Sequence, residues 1–223
     1  MSPGAGPPRI FLLSPAHCGG KRAALLLREE ATFPLAERLR QPEGVALGEA
    51  FSFLSGLYFR GKLAYASRFA RPPRGLAGAQ VITANRGLVG AETRVGAEEL
   101  RAFGSVDIHA DDPRYRTPLV RDVARLAGHR DTEFVLLGSV ATGKYVDVLL
   151  EVVGERLLFP TAFIGRGDMS RGALLLRAAR DGRELAYEAA AGARRRLRPG
   201  LRGATNGRDE ERREAGADPE ANR

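Results

Sequence analysis

The sequence predicts a three-layer α/β/α domain with a central, mostly parallel sheet, and three observations carry that expectation. The continuous apolar runs Arg9–Ser14 (RIFLLS), Ala79–Ala84 (AQVITA) and Phe134–Gly138 (FVLLG) have the length of strands buried on both faces. Segments with helical apolar spacing lie between them, the alternation that parallel βαβ units require. The composition supplies a core: 43% of the 223 residues are hydrophobic and 28% charged. That balance excludes a chain disordered throughout.

Taken in order, residues 1–8 (MSPGAGPP) form a Pro/Gly-rich leader. The first strand, Arg9–Ser14, ends at Ser-Pro, and a Gly-Gly turn precedes a short helix over Lys21–Glu29 with Ala23, Leu26 and Leu27 on its apolar side. Pro34 opens a second helix, Leu35–Leu39. Gly48–Phe69 is the longest helical stretch, with a break expected near Ser55–Gly56 and a stop at Arg-Pro-Pro-Arg-Gly. A strand at Ala79–Ala84, a turn at Asn85–Gly87, one helical turn at Glu98–Arg101 and a third short strand at Ser105–Ile108 follow. Pro118 sits at the start of a helix over Leu119–Ala127. The strand Phe134–Gly138, a helix over Thr142–Val153, a strand at Arg156–Phe159 and a helix over Ser170–Arg180 complete the domain, expected to span residues 9–189. Residues 190–223 read as a disordered tail, with nine Arg against six acidic residues.

Composition excludes several classes. One cysteine rules out a disulfide framework and a Cys-rich zinc site. No apolar run reaches transmembrane length, and the first residues lack the pattern of a signal peptide, so a cytoplasmic protein without a membrane partner is expected. The net charge of +8 points to a polyanionic partner such as DNA, RNA or a nucleotide. The surplus is unevenly spread, because the tail holds +3 of it and the chain uses arginine for all but three of its 35 basic residues.

Those three lysines each follow a glycine: Lys21 in GGK, Lys62 in RGK and Lys144 in TGK. A lysine offers a compact point charge that the arginine fork does not reproduce. The pattern predicts that Lys21 and Lys144, joined by Arg166 and with Lys62 a further candidate, converge on a phosphate or carboxylate. Ligands of open parallel sheets bind at the carboxyl ends of the strands, and four polar or glycine-rich loops qualify. They contribute Ser14 and Lys21 (SPAHCGGKR), Asn85 and Arg86 (ANRGL), Gly138, Ser139, Thr142, Gly143 and Lys144 (GSVATGKY), and Arg166, Asp168 and Arg171 (PTAFIGRGDMSR) as ligand-binding candidates. The third loop is spaced like a phosphate-binding P-loop at Gly138, Gly143 and Lys144, but Tyr145 replaces the magnesium-ligating Ser or Thr. A nucleoside-triphosphate hydrolase is therefore not expected.

Three residues are candidates for catalysis. His17 and Cys18 suggest a base and a thiol, given a helix N-terminus and Lys21 nearby, and Asp107 is a candidate acid or base. Asp107, His109, Asp111 and Asp112 carry metal-ligand chemistry, but Asp-Asp-Pro is ordinary turn chemistry; neither a metal nor a cofactor is expected. Asp168 reads as a helix N-cap flanked by the anion contacts Arg166 and Arg171. The interleaved LYFRGKLAYASRF has two readings, a nucleic-acid surface or a core face at helical spacing.

The order of these motifs resembles the uracil-DNA-glycosylase-like α/β superfamily, in particular its YaaA-type members and the accessory domain of archaeosine synthase. The resemblance spans about residues 9–180 and is carried by SPAHCGGKR, LYFRGKLAYA, ITANRGLV, LLGSVATGKYVDVLL and FPTAFIGRGDMSRG. It implies a three-layer fold and a link to DNA, tRNA or modified bases. It does not imply base excision: the glycosylase loop of G-Q-D-P-Y-H type is replaced by SPAHCGGKR, and the late H-P-S-P-type loop by IGRGDMSRG. Two functions follow as expectations. One is binding of a nucleobase, nucleotide or nucleic acid at the carboxyl edge of the sheet. The other is an enzyme acting on a nucleotide or N-glycosidic bond, with Lys21 and Lys144 on phosphate.

Overall fold

The apolar run RIFLL forms the centre of the molecule because every one of its residues is buried. The computed structural model describes residues 6–141 and 143–197. Its first half comprises β1 (Arg9–Leu13), α1 (Lys21–Leu26), α2 (Pro34–Arg40), β2 (Val45–Ala46), α3 (Leu47–Ser55), α4 (Leu57–Phe69), β3 (Ala79–Ile82), β4 (Leu88–Gly90), β5 (Arg94–Val95) and α5 (Ala97–Gly104). The second half comprises α6 (Pro113–Ala127), β6 (Glu133–Leu137), α7 (Gly143–Val153), β7 (Leu157–Pro160), α8 (Asp168–Asp181), β8 (Tyr187–Ala189) and α9 (Ala190–Leu197).

The six-stranded sheet has the order β4-β3-β1-β6-β7-β8. Its inner four strands are parallel, with Phe11 of β1 opposite Ala79 of β3 on one side and Val135 of β6 on the other. Both edge strands, β4 and β8, run antiparallel to their neighbours. α4 packs against β1 and β3 with α3 beside it, and α7 packs against β7 with α6 beside it; right-handed crossovers, the rule for parallel strands, set the two pairs on opposite faces and make three layers. A separate ribbon pairs β2 with β5.

Helix α4 rests on α8 through two glycines. A Cβ on Gly61 would stand 2.5 Å from the carbonyl oxygen of Gly172, and one on Gly172 would stand 2.8 Å from the Cα of Tyr58. Only glycine lets these backbones meet, and the contact carries Tyr58 and Lys62 toward β1.

Most of the elements expected between residues 9 and 181 form, including the break between α3 and α4 at Gly56. Four expectations need correction. Ser105–Ile108 is not a strand: α5 runs to Gly104, and the place beside β3 is taken by β4, which turns straight back at Gly87. The helix expected from Leu119 starts at Pro113, where Asp112 accepts the Arg114 N–H, so Pro118 lies inside it. Asp168 is the first residue of α8 and Gly167 its N-cap, without a side-chain cap. Residues 190–197 are helical, because Ala190 and Ala193 supply a small apolar stripe that is fully buried. The rest of the expected tail, 198–223, lies outside the described residues, as do residues 1–5.

Candidate functional site

The strand order fixes where a site belongs. The chain leaves β1 toward β3 and returns on the other side of β1 as β6, so the connections diverge at the carboxyl ends of β1 and β6. A crevice opens at such a point in doubly wound sheets.

A cleft of about 370 Å³ occupies it. Its walls include Phe51, Phe103 and Tyr145, and its polar groups include His17, Asp107 and Lys144. The β1 loop contributes Pro15–Gly19 and the stretch after α5 contributes Val106, Asp107 and Ile108. The three catalytic candidates His17, Cys18 and Asp107 thus share one cleft with Lys144. Cys18 is buried, burial pushes its thiol up to about 12, and its Sγ donates to the Ala16 carbonyl at 3.6 Å. It is a protonated thiol at neutral pH, the opposite of what a thiolate nucleophile needs.

Beneath the cleft lies a buried polar cluster that sequence reasoning placed elsewhere. Lys62 is 1% exposed. Its ammonium donates to the Ser14 carbonyl oxygen at 2.6 Å and to Ser14 Oγ at 2.9 Å. It also stands 4.4 Å above the Tyr58 ring and 4.8 Å from that of Phe59. Ser14 Oγ reaches the Leu137 carbonyl at 3.1 Å, tying β1 to β6 at their ends. Burial lowers Lys62 to about 7, and the charge of Asp168 opposes that fall only in part. Of the cations expected to converge, Lys144 alone lines the cleft: Lys21 and Arg166 lie outside it, and Lys62 faces the core side of α4, with Tyr58, Phe59 and Tyr65 also buried. The reading of this helix as a nucleic-acid surface falls with it.

Gly138 makes the cluster possible. A Cβ there would stand 2.9 Å from Ser14 Cβ, 3.2 Å from Ser14 Oγ and 3.2 Å from the Tyr145 ring. The Tyr145 hydroxyl interacts with Ser14 and accepts the Ser139 N–H at 3.4 Å. Burial raises the phenols of Tyr58, Tyr115 and Tyr145 above their ordinary range. The Tyr115 hydroxyl is buried without a hydrogen-bond partner among the described residues, and that of Tyr58 is buried beside the Arg171 guanidinium.

The remaining candidates are placed as follows. Lys21 is exposed at the start of α1 and lines neither this cleft nor the hollow described next. Arg166 is exposed, donates to Ser170 and lines neither. Arg171 is held against Phe163, donating to its carbonyl and stacking over its ring, with Asp168 at 3.5 Å. Asn85 and Arg86 belong to a second hollow of about 540 Å³, shared with Arg121, Asp122 and Arg125. Gly143 is the first residue of α7, and Thr142 lies outside the described residues. Among the described residues no three His, Cys, Asp or Glu side chains come together as a metal site, and no helix is long and apolar enough to cross a membrane.

One signal in the sequence pointed at the buried cluster, the lysine of RGK inside an apolar helical face. Tyr58, Tyr115 and Tyr145 gave none, because aromatics at helical spacing look the same in any core. Compared with protein-family models, curated proteins and solved structures, the chain matches none of them.

Proposed function

We propose that the protein binds a nucleobase- or nucleotide-like ligand in the cytoplasm, in the cleft at the carboxyl ends of β1 and β6. The observation that carries this reading is the pairing of aromatic walls with a polar rim at the point where the sheet connections diverge. Phe51, Phe103 and Tyr145 suit a flat ring, since every base offers a π-face for stacking. Asp107 and His17 provide hydrogen-bonding edges, and Lys144 provides the charge for a phosphate. The volume lies at the lower end of the range for small-molecule sites. It favours a base or mononucleotide over a polymer held entirely within the cleft.

Calorimetric titration with uracil, adenine, guanine, their nucleosides and their monophosphates tests the reading. Lys144→Ala should weaken monophosphate binding by about 10- to 150-fold, the equivalent of one charge-assisted hydrogen bond, and leave free-base binding nearly unchanged. No binding by any of these compounds, or equal binding to the variant, overturns it. Single-stranded DNA or RNA that binds with a steep salt dependence and in competition with the monophosphate would extend the ligand to nucleic acid.

A further inference from the structure

Lysine is an expensive residue to bury, and among the described residues no carboxylate hydrogen-bonds Lys62 to offset the cost. Its two acceptors belong to one residue, Ser14, at the carboxyl end of the central strand. The geometry points to a serine–lysine pair: we propose that Ser14 is a nucleophile and Lys62 its general base, acting on acyl carbonyl compounds that enter through the cleft. The proposal shares the cleft with the binding reading above but does not depend on the ligand named there.

Four groups hold the required positions. Lys62 Nζ lies 2.9 Å from Ser14 Oγ, within reach for proton transfer. Its second hydrogen bond, 2.6 Å to the Ser14 carbonyl, holds the amine in place; for proton transfer to the neutral amine, the Ser14 hydroxyl turns from the Leu137 carbonyl, which it reaches at 3.1 Å, to the Lys62 lone pair. Tyr145 interacts with Ser14 and lines the cleft, which links the nucleophile to the open volume. The Ser139 N–H points at the same hydroxyl. With the Ser139 N–H donating to it, the Tyr145 hydroxyl is the donor left to receive the oxygen that becomes negative when a carbonyl is attacked. Serine–lysine arrangements of this kind serve acyl transfer on unrelated folds.

The steps balance without an added cofactor. As Ser14 Oγ bonds to the carbonyl carbon, its proton passes to the neutral Lys62 amine. The tetrahedral intermediate collapses with cleavage of the bond to the leaving group, which takes the proton from Lys62. Water then attacks the acyl-Ser14 ester, giving a proton to Lys62; Ser14 departs with that proton and the carboxylic acid is released. Burial lowers the amine to about 7, so a neutral fraction is present at neutral pH for the first step and grows above it. The titratable and charged groups facing the pair are Tyr58 on the helix of Lys62, Tyr145 on α7, and Asp168 with Arg171 on α8.

The full chain is incubated with an alkyl fluorophosphonate, and separately with p-nitrophenyl acetate, and the modified residue is found by mass spectrometry. The expected result is one adduct per chain, on Ser14, with a labelling rate that rises with pH and levels off above about pH 7, near the point at which Lys62 becomes neutral. Ser14→Ala should abolish the adduct. Lys62→Met, which fills the same space without a base, should slow it more than 100-fold while circular dichroism shows a folded protein. Where Lys62→Met does not fold, the pH profile of the unaltered protein decides instead. An adduct on His17 or Lys144, no adduct on Ser14, or a Ser14 rate indifferent to pH or to Lys62→Met overturns the proposal. A failure to bind nucleotides, with Ser14 still labelled, would overturn only the binding reading.

Discussion

The hollow beside β4 and the cleft at the ends of β1 and β6 are built differently. The larger, beside β4, is lined by Arg86, Arg121, Arg125 and Asp122. Its charges already answer one another: Asp122 accepts from Arg121 at 2.9 Å and from the Leu88 N–H at 3.0 Å, Arg125 lies 3.9 Å from the same carboxylate, and Arg86 lies 3.8 Å from Glu99. The smaller, at the ends of β1 and β6, has aromatic walls and rests on the buried Lys62–Ser14 pair, where the larger has only Asn85 Oδ1 buried and unpaired among the described residues. Charge collected at a surface is mostly self-compensating. Groups held away from water without full compensation cost stability, and such costs concentrate at functional sites.

The comparison can be broken most severely at the support under the smaller cleft. Gly61→Val would drive a side chain into the backbone of α8, so a loss of about 3 kcal/mol is expected, or roughly 10 °C in the thermal midpoint. A midpoint within 2 °C of the parent, read by calorimetry on the scale of about 3 °C per kcal/mol, would show that the α4–α8 contact can slide, and with it the seat of Lys62.

Next in size is the pH dependence of Lys62. Its folded value lies near 7, below its ordinary 10.5. Between those values the unfolded chain holds a proton that the folded chain lacks, so this group makes stability climb with pH, by up to about 1.4 kcal/mol per unit. Below about pH 7 both states are protonated and the destabilisation is complete. The midpoint of the parent should therefore rise relative to that of Lys62→Met between pH 6 and pH 10. A constant difference across that range would mean that Lys62 is not a depressed amine.

The larger hollow gives smaller and opposite signals. Asp122→Ala should cost about 1–3 kcal/mol, since it strands the buried Leu88 N–H, while Arg121→Ala should stay within about 0.5 kcal/mol, as exposed ion pairs generally do. Urea denaturation of both variants measures this, and an Arg121→Ala loss matching that of Asp122→Ala would make the pair structural. Smallest of all is Lys144→Ala, expected within about 0.5 kcal/mol of the parent because the side chain is exposed at the rim. A larger loss would remove it from the list of residues held for a ligand.

The parallel centre of the fold was legible because Ile10–Leu13, Val81–Ile82 and Phe134–Leu137 are continuously apolar, as strands covered on both faces must be. The edges were not. β4 has three residues, one of them glycine, and β8 has three that are only half-buried, so neither produces a pattern long enough to read. For the site, the loops after β1 and β6 were legible from their glycines and polar residues. Lys62 was noticed as a further cation for an anionic ligand, and its helix was left open between a surface and a core face, because a helix of mixed aromatics and cations does not state which face turns inward. Only the backbone approach at Gly61 and Gly172 decides that, and it joins residues far apart in the chain.

The last two described elements bear on how the chain can be shortened. β8 continues the sheet past β7, and α9 follows it directly with Ala190 and Ala193 buried. A truncation placed at Tyr187, where the apolar periodicity ends, would strip most of this cover and leave the Leu157–Pro160 strand with unpaired main-chain groups facing solvent. An open edge of that kind recruits strands from other molecules. Chains cut at Tyr187 should therefore collect in oligomers and precipitate, whereas chains cut after Leu197 keep the edge closed.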